Sequence, residues 1–80
     1  MTSQPAKAMH VTFGASKKIV SCPPVDLRQA VERQFGIRGD LHYRFQLWDS
    51  DFSDWVDLDD FSELDGVDKP KLNIVLWSVN

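Results

Sequence analysis

The stretch Trp48-Asp49-Ser50-Asp51-Phe52-Ser53-Asp54-Trp55-Val56-Asp57-Leu58-Asp59-Asp60-Phe61-Ser62-Glu63-Leu64 packs acid between spaced apolar anchors. Nine of the chain's twelve acidic residues fall between Asp49 and Asp68. Trp48, Phe52, Trp55, Val56, Leu58, Phe61 and Leu64 interrupt them often enough to hold the segment on a core, so it does not read as a disordered acidic tail. Asp49 to Asp54 reads as a turn and Trp55 to Leu58 as a short returning strand. Asp60-Phe61-Ser62-Glu63 reads as a capping box that opens one helical turn, closed by Gly66.

Upstream, Leu41, Tyr43, Phe45 and Leu47 alternate with His42, Arg44, Gln46 and Trp48, which predicts a long strand with one buried face. At the N-terminal end, Met9, Val11 and Phe13 alternate with His10 and Thr12, Gly14-Ala15-Ser16 turns the chain, and Lys17 to Cys22 returns as the second strand of a hairpin. Residues 1–8 are small, polar and proline-containing and read as a flexible leader to a single domain over residues 9–79. Pro23-Pro24 stops the ladder, and Asp26 is placed to cap a helix starting at Leu27. Leu27, Ala30, Val31 and Phe35 form that helix's apolar stripe, Arg28, Gln29, Glu32 and Arg33 lie on its wetter side, and Gly36 supplies the left-handed C-cap. Downstream, Pro70 precedes a last strand over residues 71–79, in which Leu72, Ile74 and Leu76 share one side and Asn73, Val75 and Trp77 the other.

Composition bounds the function. Eighty residues, 42% of them hydrophobic, suffice for one domain, which at this length buries only about 60% of the surface its unfolded form exposes. No apolar run approaches a membrane span and residues 1–7 lack the apolar core of a signal peptide, so the expected location is the cytoplasm or nucleus, with no membrane partner. Cys22 is the only cysteine, which excludes an internal disulfide. Residues 1–48 carry a net charge of plus four and residues 49–80 minus seven. A nucleic-acid binder needs a basic face without a larger acidic one beside it, so this dipole favours a protein partner over nucleic acid.

The order strand, strand, helix, strand, short strand, helical turn, strand resembles the ubiquitin superfold, the β-grasp. That resemblance implies an α+β domain with a mixed four- to five-stranded sheet, one main helix across it, a short helical turn before the last strand, and central, parallel first and last strands. The chain ends at Asn80 without the diglycine of a conjugated modifier, so conjugation is not expected and a place within a larger scaffold protein is. Within this group the acidic stretch is similar to that of the Phox/Bem interaction domains, with the N-terminal domain of the Par polarity scaffold as a second similar case. The resemblance implies head-to-tail joining, homotypic or with a related domain. The acidic face would be Asp49, Asp51, Asp54, Asp57, Asp60 and Glu63. The basic face would be Lys17 or Lys18, which point to opposite sides of their strand, together with Arg28.

Other chemistries fit less well. Asp49, Asp51 and Ser53 stand at positions 1, 3 and 5 of a calcium loop, but Asp54 replaces the glycine at position 6 and Asp60 the glutamate at position 12. His10 and His42 lie on strands with no nucleophile motif, and the four glycines are scattered turn residues, so neither an enzyme nor a cofactor is expected. Trp48 and Trp77, on the less apolar faces of their strands, are candidate anchors for a partner, while Trp55 is expected to pack in the core. Two further readings stay open: a monomeric adaptor that offers the second strand as an edge in the manner of Ras-association domains, and an acidic face that merely meets solvent.

Overall fold

The computed structural model describes residues 5–76. The first hairpin joins β1 (Lys7–Phe13) to β2 (Ser16–Cys22). Pairing runs from Lys7 opposite Cys22 to Phe13 opposite Ser16, and the turn is only Gly14-Ala15, with Gly14 at φ 60°. Lys7 and Ala8, expected in the leader, therefore belong to the sheet, and Ser16, expected in the turn, already belongs to β2. Period two sets the faces: Met9, Val11, Val20 and Cys22 are buried on one side.

After Cys22 the prolines produce a 3₁₀ turn, Pro24–Asp26, whose closing bond runs from the Asp26 amide to the Pro23 carbonyl at 2.9 Å. The helix α1 (Leu27–Phe35) follows directly. Asp26 occupies the N-cap position as expected, but its side chain makes no capping bond, because the 3₁₀ turn already supplies carbonyl partners at this end: the Leu27 amide bonds to Pro24. Leu27 and Val31 are fully buried, Ala30 and Phe35 are partly buried, and Phe35 meets Phe13 edge-on at 5.9 Å. Gly36 ends the helix at φ 67°, where the left-handed conformation favours glycine.

β3 (Tyr43–Asp49), β4 (Asp54–Leu58) and β5 (Lys71–Leu76) complete a five-stranded sheet in the order β2-β1-β5-β3-β4. β1 and β5 are adjacent and parallel, and every other pair is antiparallel. Leu41, expected in the third strand, precedes the ladder and is 41% exposed. Between β4 and β5 a second 3₁₀ turn, Phe61–Leu64, drops the fully buried Leu64 under the sheet. The core lies wholly on the α1 side: Met9, Val11, Leu27, Val31, Phe45 and Leu72 form its centre, extended by edge-on Tyr43–Phe45 and Phe45–Phe61 ring contacts at 5.6 and 5.5 Å. No helix among the described residues is long and apolar enough to cross a membrane.

Candidate interaction surface

The acidic loop is held by its own carboxylates. Asp49 Oδ1 accepts from the amides of Asp51 (2.9 Å) and Phe52 (3.4 Å), and Asp54 Oδ1 accepts from the Trp55 amide at 2.8 Å. Short aspartate side chains stabilise turns in this way, and Ser53 adopts φ 51° to complete the reversal. The loop thus projects the exposed Asp51 and a Phe52 that is 80% exposed.

The remaining acids serve two other places. Asp57 pairs with Arg44 at 3.2 Å on the face of the sheet away from α1. Asp60 and Glu63 form the expected capping box: Asp60 Oδ1 accepts from the Ser62 amide at 3.0 Å, and Glu63 Oε2 accepts from the amides of Asp59 and Asp60 at 3.2 and 3.1 Å. The hydrogen bonds from Ser62 hold the Asp60 carboxyl below the ordinary carboxylate range. The six acids of the expected face therefore form three groups: loop, sheet-face ion pair and 3₁₀ cap.

The basic residues are similarly divided. Lys17 is exposed on the face away from α1 and makes no hydrogen bond or ion pair among the described residues. Lys18 points to the α1 side, where Nζ donates to the Gln34 carbonyl near the helix C-terminus and lies 5.3 Å over the Phe35 ring. Arg28 reaches across the other end of the helix and stacks on Tyr43 and Phe45, at 4.8 and 6.0 Å from the ring centroids. The Tyr43 hydroxyl donates to Glu32 Oε2 at 2.6 Å; burial first, and this bond second, push its pKa up to about 12. Next to Arg28, a groove of about 510 Å³ opens between the start of α1, β3, β4 and the second 3₁₀ turn, lined by Val25, Tyr43, Leu58 and Phe61.

Sequence reasoning missed Lys7. Its ammonium donates to the carbonyls of Leu64 (2.6 Å), Asp65 (3.1 Å) and Val67 (2.6 Å), where the second 3₁₀ turn ends. The only local signal was its place two residues before Met9, in phase with the buried face of β1. Trp55 corrects an expectation: it is not in the core. It lies opposite Trp48 across the β3–β4 hairpin, on the sheet face that α1 leaves open, with an edge-on ring contact at 5.3 Å. Lys71 Nζ sits 5.3 Å from the Trp48 ring and 5.9 Å from the Trp55 ring. Trp77, the other candidate anchor, lies outside the described residues. Among the described residues, no three His, Cys, Asp or Glu side chains are gathered where they could hold a metal ion.

No protein-family model and no curated protein matches the sequence. The fold does have a solved counterpart in the AtNBR1-PB1 domain, with a TM-score of 0.71 and 16% sequence identity over 91% of this chain and 99% of that one. The chain therefore has the ubiquitin-like β-grasp fold of a Phox/Bem-type, or PB1, domain.

Proposed function

We propose that this chain is a protein-binding domain, not an enzyme, that joins copies of itself or a related domain head to tail within a larger cytoplasmic or nuclear scaffold. The observation that carries this reading is the sheet order β2-β1-β5-β3-β4. Lys17 and Lys18 stand on one edge strand, while Asp54 and Asp57, with the acidic loop, stand on the strand at the opposite edge. The two charged edges cannot neutralise each other within one copy across three intervening strands, so each can face a different neighbour, although Asp57 already pairs with Arg44 and Lys18 already donates to the Gln34 carbonyl. Contacts between unlike surfaces do not close on themselves and yield open chains. Arg28, stacked on Tyr43, belongs to a separate region beside α1, and Lys17 carries the freer charge of the lysine pair.

Light scattering tests the reading. Molar mass should grow with protein concentration and fall between low salt and about 0.5 M, where the Debye length is only a few ångströms. Asp51→Lys, Lys17→Glu and Lys18→Glu should each lower the mass, and an equimolar mixture of the Asp51→Lys and Lys17→Glu chains should form a one-to-one complex through the single intact interface. A mass equal to one chain at every concentration and salt would end self-assembly. It would favour the second reading, an adaptor binding a different protein along the bare edge of β2.

A further inference from the structure

We infer that the head-to-tail contact is a strand pairing, in which β2 of one copy docks antiparallel on β4 of the next and makes one continuous intermolecular sheet. The inference rests on the head-to-tail reading and specifies its geometry.

Both edges present backbone groups without a strand partner. On β2, the His10 amide donates to the Pro70 carbonyl at 2.9 Å, toward β5, so His10 and its partner Ile19 are a pair that exchanges no ladder bonds. The peptide groups of Ile19, and by alternation those of Lys17 and Ser21, therefore face outward. On β4, the Trp55 amide donates to its neighbour Asp54, which marks Trp55 and Asp57 as the residues whose peptide groups face away from β3. Neither edge is covered by a helix, and neither strand contains a proline.

The strand directions fit. β1 and β5 run together, β2 runs against β1, and β4 runs with β5 because each is antiparallel to β3. A second copy brought alongside without being flipped, with its helix on the same face, thus presents β2 antiparallel to β4, apart from the normal sheet twist.

One register satisfies the side chains. With Ile19 opposite Trp55, Lys17 falls opposite Asp57 on the open face, where it joins the Arg44 that already pairs with that carboxylate, and Lys18 falls diagonal to Asp54 on the helix face. Ile19, 64% exposed in the single copy, then meets the indole of Trp55. The Trp55 amide exchanges the Asp54 carboxylate for the Ile19 carbonyl, which releases that carboxylate toward Lys18.

Amide hydrogen exchange on the full chain tests the pairing, comparing concentrated protein at low salt with dilute protein at high salt. Amides of Lys17, Ile19, Trp55 and Asp57 should slow at least about tenfold on assembly. Assembly without that protection would overturn strand pairing while leaving head-to-tail association intact, whereas no assembly at all would overturn both. Ile19→Pro gives an independent check, since proline is tolerated on an edge strand where the amide faces outward. With a circular-dichroism spectrum and melting transition showing it folded, this variant should associate at least tenfold more weakly at unchanged net charge. A folded Ile19→Pro chain that assembles like the parent would overturn the pairing.

Discussion

The two faces of the sheet are built from the same strands by different means. On the side that α1 covers, Met9, Val11, Phe45, Leu72 and Ile74 make a dry core, and among the described residues no polar or charged residue is buried. On the other side, Trp48, Trp55 and Lys71 form a cation–π cluster, Arg44 pairs with Asp57, and Asn73 Nδ2 donates to Gln46 Oε1 at 3.3 Å. The first face is held by area removed from water; the second is a partly exposed lattice of cross-strand pairs, each individually weak. Most of the stability therefore belongs to the helix side.

The largest effect should come from the covered face. Phe45→Ala removes a ring that is 2% exposed and touches Tyr43 and Phe61, and should cost about 3–5 kcal/mol by denaturant titration. Lys7→Met tests whether this face depends on a charge at its rim. It strips three carbonyls of their donor and should cost about 1–3 kcal/mol, read in the same titration. On the open face, Trp55→Ala should cost about 1–2 kcal/mol through the lost indole pair and cation–π contact, with a matching change in tryptophan fluorescence. A loss as large as that of Phe45→Ala would erase the distinction between the faces.

Two further predictions concern pH. Tyr43 has a raised pKa in the folded chain, so its contribution is complete below the ordinary value of 10 and is lost as pH rises toward about 12. Melting temperature should fall across that window, and Tyr43→Phe should flatten the fall. Asp60 is the opposite case. Its folded pKa is depressed, so its stabilising hydrogen bonds are complete above the ordinary carboxylate pKa and are lost as pH falls below it. Asp60→Asn should make the acid limb of the melting curve shallower, by less than any change above.

Much of the fold was legible because its signals are local. Alternation in Met9–Phe13 and Tyr43–Leu47, the left-handed Gly36 and the Asp60–Glu63 capping box each depend on residues within a few positions of one another. The misread residues depend on distant partners. Lys7 looked like leader because the carbonyls it binds lie 57 to 60 positions away. Trp55 looked like core because a large ring beside the acidic loop could pack under it, but pairing opposite Trp48 puts it on the open face with Asp57. Asp26 looked like a capping side chain, yet the preceding proline turn supplied backbone carbonyls first.

The candidate site divides the same way. Composition alone exposed the charge dipole and the acidic loop, since an aspartate-rich turn between strands is visible without coordinates. It could not show that Asp57 pairs with Arg44 on the open face, nor tie Lys18 to the helix terminus while leaving Lys17 exposed.

By itself the sequence determined the identity and order of the elements and the segregation of charge along the chain, because periodicity, turn chemistry and composition are written between near neighbours. Only the tertiary structure decided that β2 and β4 become opposite edges and that Trp55 faces away from the helix. Those outcomes follow from pairing β1 with β5 across almost the whole chain, a contact that no local pattern encodes.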